Sequence, residues 1–488
     1  MKTLLLSLLV VGGLWVGEGY GQVEVEWEKT FRLDEDPEYA SAINSTHDNG
    51  FVIAGLVHRE ANRNGTNIVV AKIDSLGQQD WFREYGGNQT ESCKKMFETE
   101  DAGFLIFGTT NSIGEFESSA WVMKLNESGD SLWSRTFGTG NTNSCRQVRQ
   151  VDSDEYQMLL TSSLNDGSAW IISIDSNGDS LGSVPLPYVE LLDSGQDIDF
   201  VDFVFEAEIV TVACNRAVEY EGTTVTFYVI ATLDLQGRLI QRNSFEEYTG
   251  TIRSIEKRGG GYFVFGEKGF PTFQSRKSYQ ILFLNRDLNL VFEKYYGGIE
   301  AEFPAQMIPA HESGMALYGS SQSFGDANND HFLVRISEQG DSLWSLIVDN
   351  GTDWARALVM NEDGSYALLG DGLFLVKTTP DPVSVRDPIV SNVPSTPYLL
   401  SAYPNPFNNT LNISFGLDKP APTRLEIVDP TGRKVASLFP NVGLGSPTYT
   451  NAGEQRVVWD AKGLPAGKYV IYLQGSGFST SKSITLLK

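Results

Sequence analysis

The chain has 488 residues, 41% of them hydrophobic and 11% aromatic, with a formal net charge of −25. Such an acidic balance argues against a nucleic-acid partner and favours solubility outside the cell, and the apolar content suffices for a large core. Three cysteines leave at least one thiol unpaired and give no disulfide framework.

Met1-Lys2-Thr3, the apolar run over 4–16 and the small residues around 17–21 predict a secretory signal peptide over residues 1–21. The run is too short and too poorly flanked for a membrane anchor, no later segment is long and apolar enough to span a bilayer, and no cysteine follows it for lipid attachment.

Residues 22–378 are organised by a repeat of about 53 residues. Its marker Asp48-Asn49-Gly50-Phe51 returns as Asp101-Ala102-Gly103-Phe104, degenerately near Asp154 and 206–213, then around Gly261, Gly314 and Gly364, seven copies in all. Each unit continues with a β-branched and aromatic run such as Ile68-Val69-Val70-Ala71, then a turn ending in glycine (Gly77, Gly129, Gly178, Gly237, Gly340). A strand opening on an aromatic follows (Trp81, Trp133, Phe292, Trp344). With the strand before each marker this makes four short strands per unit, and radial repetition of such units is a β-propeller.

The seventh unit ends near Lys377 without its aromatic strand, whereas Glu26-Trp27-Glu28-Lys29-Thr30-Phe31 matches that column, Trp27 aligning with Trp81. Residues 24–31 are therefore expected to complete the seventh blade and close the ring. The alternative, an open solenoid, leaves Trp27 unpaired. Cys93 and Cys145 share a column in adjacent units, and both a bridge and two buried thiols remain open.

Residues 379–398 contain Pro380, Pro382, Pro388, Pro394 and Pro397 and read as an extended linker. Residues 399–488 hold nine Lys and Arg against five Asp and Glu, so the remainder carries about −29. Strand patterns at 411–415, 423–428, 434–439, 455–459, 467–473 and 481–487, with turns at Asp429-Pro430-Thr431-Gly432 and Leu464-Pro465-Ala466-Gly467, predict a small immunoglobulin-like β-sandwich. The fold class is thus all-β, a seven-bladed propeller closed by an N-terminal strand and followed by that sandwich.

Tyr403-Pro404-Asn405-Pro406-Phe407, then Val428-Asp429-Pro430-Thr431-Gly432-Arg433, then Gly467-Lys468-Tyr469 and a last strand ending at Lys488 resemble the C-terminal sorting domain of the type IX secretion system. The stretch 440–452 is longer and richer in glycine than that pattern. The resemblance implies a Gram-negative source, export to the periplasm by the signal peptide and passage of the outer membrane through the type IX machinery. Removal of the domain and either release or attachment to surface lipopolysaccharide would follow. A sandwich that merely caps or spaces the propeller is the plainer alternative.

Chemistry-bearing residues are sparse. His47, His58, His311 and His331 lie in different units without ligand spacing and read as turn or surface residues. Asp175-Ser176-Asn177-Gly178-Asp179 and Asp326-Ala327-Asn328-Asn329-Asp330 offer oxygens to calcium but lack the later bidentate Glu, and the first is read as an Asx turn. The run Ala71 to Gly77 and Trp81 is similar in outline to the repeats of quinone-dependent dehydrogenases, with different spacing, and departs from the sialidase box. The aromatic column is expected to serve packing between blades.

Lys94, Arg146, Arg253 and Arg356 share one column at the start of the innermost strand. In an acidic propeller they form a candidate ligand-binding ring at the channel mouth, unless they pair with carboxylates. No catalytic residue, metal ligand or cofactor is assigned. The reading is a non-catalytic secreted or surface protein binding a glycan or a protein. An extracellular hydrolase or lyase acting on polysaccharide, and a quinone- or metal-dependent oxidoreductase, are the alternatives.

Overall fold

The computed structural model describes residues 23–32, 38–58, 65–114, 117–138, 142–162, 169–187, 197–206, 208–220, 223–270, 273–298, 300–325, 329–349, 354–382, 398–403, 407–417, 421–429, 433–438, 448–450, 453–475 and 478–487. The signal-peptide expectation, residues 1–21, lies outside them. The described residues fall into two compact units, one within 1–385 and one within 386–488.

The first unit is a ring of antiparallel four-stranded blades. The first blade comprises Glu38–Ser45, Phe51–His58, Thr66–Ile73 and Gln79–Tyr85; the second Glu91–Glu98, Phe104–Thr110, Ser119–Leu125 and Ser131–Phe137; the third Asn143–Gln150, Glu155–Ser162, Ala169–Asp175 and Ser180–Leu186. The fourth and fifth are fused, because strand Leu239–Arg258 forms the outer edge of one and the inner edge of the next. Glu302–Pro309, Met315–Ser321, Asp330–Ile336 and Ser342–Val348 form the sixth. The seventh takes Ala355–Met360, Tyr366–Gly370 and Phe374–Thr378 from the end of the unit and Val25–Thr30 from its start.

Closure follows the sequence expectation. Trp27, Glu28, Lys29 and Thr30 pair with Lys377, Val376, Leu375 and Phe374, and Thr379 N donates to Glu24 O at 2.8 Å. Inner strands touch their neighbours round the whole ring, Ala355–Met360 against Glu38–Ser45 included. Seven hydrophobic cores, each shared by two neighbouring blades, fill the interfaces. The second and third strands are apolar along nearly their whole length because a blade covers each face, and Ser119–Leu125, Met315–Ser321 and Asp330–Ile336 are buried throughout.

The aromatic and glycine columns are one contact. Gly77, Gly129, Gly178 and Gly340 have φ of 72°, 82°, 78° and 73°, and a Cβ on them would lie 2.7–3.1 Å from the rings of Trp27, Trp81, Trp133 and Phe292 of the preceding blade. Glycine is required twice over, for the left-handed turn and for the space. Where the fourth blade has Gln241 instead of an aromatic, the next turn carries Leu288 at φ 58°. The marker also has a mechanism: Asp48 and Asp101 each accept from the glycine N two residues on and from a buried lysine of the third strand, Lys72 at 2.7 Å and Lys124 at 2.6 Å.

Two readings change. His331 is not a turn or surface residue: it lies in a strand covered on both faces, fully buried, 2.9 Å from the Tyr318 hydroxyl. Asp381, within the stretch read as linker, is fully buried and binds Arg335 Nε, Trp344 Nε1 and the Tyr366 hydroxyl at 2.8, 2.9 and 3.1 Å. It stands where other blades present their glycine turn to the aromatic column. All three cysteines are free and buried, with Cys93 and Cys145 in different interblade cores, and burial pushes those two thiols up to about 12.

In the second unit, Tyr398–Tyr403, Thr410–Leu417 and Gly453–Asp460 form one sheet. Lys434–Ser437, Ala421–Val428, Gly467–Gly475 and Phe478–Leu486 form the other, with Thr448–Thr450 added to Ala421–Val428. Phe407, Trp459, Tyr469 and Ile471 lie in the core between them. All six expected strands are present; Tyr398–Tyr403 and Thr448–Thr450 are additional.

Burial pushes the His331 imidazole down to about 3 from its ordinary 6.5. Below 6.5 the unfolded chain binds a proton that the folded chain refuses, so stability is lost as pH falls from about 6.5 towards 3, by up to about 1.4 kcal/mol per pH unit. Urea titrations between about pH 4 and 7 are expected to show a shallower pH slope for His331→Gln than for the parent, by about one proton.

Candidate functional site

Every innermost strand carries a β-bulge at the same place, between Ala40 and Ala42, Cys93 and Lys95, Cys145 and Gln147, Phe200 and Asp202, Ile252 and Ser254, Pro304 and Gln306, and Ala355 and Ala357. The extra residue leaves the ladder and re-aims its side chain. It is Ser41, Lys94, Arg146, Val201, Arg253, Ala305 and Arg356 in turn, so the four basic residues expected to share a column are four bulge residues. The backbone N–H beside the bulge is held by the preceding blade: Thr109 Oγ1 accepts from Cys145 N, Asn215 Oδ1 from Ile252 N, Ser320 Oγ from Ala355 N and Asp371 Oδ1 from Ala40 N, at 2.8–3.1 Å.

On the axis lies a cavity of about 300 Å³ lined by residues of all seven blades. Lys94, Arg253 and Arg356 line it; Arg146 is not among its lining residues and instead binds Asp199 at 2.7 Å and Thr161 at 3.1 Å. Arg356 is clamped by both oxygens of Asp371, at 2.9 and 2.6 Å. Lys94 and Arg253 are exposed and make no ion pair among the described residues. The ring is therefore half neutralised.

Four groups that sequence reasoning did not single out, Arg149, Asp202, Glu256 and Lys95, complete the cavity wall. Arg149 reaches across blades, giving two hydrogen bonds to Glu256 at 3.0 and 3.1 Å, two to Asp202 at 3.0 Å and one to Ile255 O at 2.7 Å. Asp202 is fully buried and also accepts from Phe203 N and Ile255 N. Burial pushes the Glu256 carboxyl above its ordinary range against the pull of Arg149. Burial, with help from Lys94 and Arg149, holds the Lys95 amine down at about 8. At the opposite ends of the inner strands, about 200 Å³ of space is lined by His47, Glu98, Glu100 and Glu362, with His47 Nδ1 2.8 Å from Glu98. That space is lined by four neighbouring blades and is predominantly acidic.

Of the calcium candidates, the Asp175 turn directs Oδ1 to the amides of Asn177 and Asp179, at 3.0 and 2.7 Å, as an Asx turn does. Residues 326–328 of the other lie outside the described residues.

In the second unit Phe407 is buried, 5.6 Å from Trp459, and its backbone bridges Thr485 and Leu487. The Tyr469 hydroxyl donates to Pro465 O at 2.8 Å, and Gly467 opens its strand. Tyr403, the first residue of the motif, ends the strand Tyr398–Tyr403; Pro404, Asn405, Pro406 and Lys488 lie outside the described residues.

Residues 401–486 match the family of secretion system C-terminal sorting domains. The C-terminal unit carries a type IX sorting domain. Its presence implies the type IX machinery as a partner, with export to the cell surface or beyond. No helix among the described residues is long and apolar enough to cross a membrane. No curated protein matches the sequence. Among solved structures the chain is similar to a cobalt-substituted Synechocystis apocarotenoid oxygenase (11% identity, 65% of this chain and 74% of that one, TM-score 0.40). It is also similar to a puromycin hydrolase mutant (11%, 79% and 59%, 0.43) and to Trypanosoma rangeli sialidase (7%, 95% and 88%, 0.36). Likenesses this weak say nothing of activity.

Arg149→Met leaves Asp202 buried without its counter-charge and is expected to cost about 3 kcal/mol or more at neutral pH. Because the stranded carboxylate can take up a proton, the deficit should shrink on acidification to about pH 4. Urea unfolding at the two pH values measures both.

Proposed function

We propose that the propeller is a non-catalytic recognition scaffold, exported through the type IX system and then released or attached to surface lipopolysaccharide, whose ligand is an anionic glycan or protein. The observation that carries this reading is the axial cavity, whose two lining carboxylates, Asp202 and Glu256, are both bound to Arg149 while Lys94 and Arg253 stay exposed. In a strongly acidic body these cations focus attraction for negative charge on one mouth. Seven blades converging on one axis also supply the rigid frame that recognition loops require.

The second reading, a polysaccharide hydrolase or lyase, draws on the same carboxylates, since Asp202 and Glu256 meet at one guanidinium and Glu256 is pushed towards its protonated form. Against it, Asp202 is fully buried and its oxygens are spent on Arg149 and two backbone amides. Sugar release from acidic polysaccharides that is abolished by Glu256→Gln would favour that reading.

Screening the secreted protein on a glycan array is the direct test. Anionic glycans are expected to bind, with binding weakened about tenfold or more by Lys94→Ala with Arg253→Ala and by raised salt. Unchanged binding in the double variant would remove the channel mouth from the account.

A further inference from the structure

The axial cavity holds five cationic and two anionic side chains among its described lining residues. Both carboxylates belong to Arg149, and Arg356 belongs to Asp371. That leaves Lys94, Lys95 and Arg253 without a carboxylate in salt-bridge range among the described residues. Lys95 stands out because its backbone lies in the ladder beside the bulge while its side chain lines the cavity, half-buried and without a hydrogen bond among the described residues. Arg149 Nε, buried on the same wall, also lacks a partner among the described residues. Partly or fully desolvated donors with no acceptor are costly, and in a confined space of net positive charge the group that relieves them is an oxyanion.

Resting on the recognition reading above, we propose that this cavity seats a compact oxyanion, the carboxylate or sulfate of a single acidic sugar unit, between Lys94, Lys95 and Arg253. A volume of about 300 Å³ lies at the small end of ligand pockets and suits one terminal sugar better than a threaded polymer. The groups facing the Lys95 amine are Lys94 and Arg149, which disfavour its charge, and Glu256 and Asp202, which favour it. With the amine held at about 8, an entering anion raises its proton affinity, so occupancy near that pH draws a proton from solvent.

The full secreted chain is titrated calorimetrically with glucuronate and with inorganic sulfate, which separate the carboxylate source from the sulfate source, in buffers of different ionisation heat. At least one probe is expected to bind with proton uptake at about pH 8, and its affinity should fall about fivefold or more between about pH 7 and 9.5. Lys95→Met should weaken it about tenfold, and Lys95→Arg should keep the binding and abolish the pH dependence. If anionic glycans bind on the array yet both Lys95 variants keep the parent affinity and pH profile, this inference falls and the recognition reading stands. If no anionic glycan or probe binds, both fall.

Discussion

Everything in the propeller depends on one pairing across the chain, that of Val25–Thr30 with Phe374–Thr378. It joins segments some 350 residues apart, since Glu24 N donates to Thr379 Oγ1 across a separation of 355. Loop-closure entropy grows only logarithmically, so this costs about 2 kcal/mol more than closing a loop the length of one repeat. Val23 and Phe31 are buried and Trp27 is half-buried by the same step, and apolar burial of about 1.5–3 kcal/mol for each fully covered side chain outweighs that cost. Without the pairing, the seventh blade would have three strands and an open edge.

The same regularity that builds the ring builds its centre. One bulge per inner strand interrupts the ladder and turns one side chain out of the sheet, and in four blades the preceding blade captures the N–H beside it. Stability and channel chemistry are therefore set at neighbouring atoms: Asp371 holds Ala40 N, closing the seventh blade on the first, and at the same time clamps Arg356. A change at such a residue alters the ring and the channel together. Lys94 and Arg253 carry no such duty, which is why they are the informative positions for recognition.

The blade count, the strand supplied by the N-terminus and the separate aromatic and glycine columns were legible because each leaves a mark at fixed spacing; that the two columns are one contact was not. Strand-length apolar runs, glycines at positive φ and large rings recur whether or not function is present. The channel was legible only in its outermost layer. Arg149, Asp202 and Glu256 meet through three different blades, and no repeat column announces that meeting. Lys72 and Lys124 look like surface lysines in sequence, yet they sit on strands covered on both faces and are spent on the marker aspartates. His331 was misread for the same reason, a polar residue in a doubly covered strand. Asp381 was hidden by the prolines around it, although the seventh unit's missing glycine turn was the clue that something else had to meet Trp344.

The sorting domain and the propeller are legible in different ways, one through a family pattern confined to residues 401–486, the other through physics alone. The first says how the protein leaves the cell and the second which surface it presents there. Amide hydrogen exchange on the secreted propeller tests the central claim most directly. The amides of Trp27 to Thr30 are expected to exchange as slowly as those of Phe374 to Thr378, because both open only with the ring. Exchange of the first group at the rate of a frayed terminus, with the second still protected, would contradict closure by the N-terminal strand.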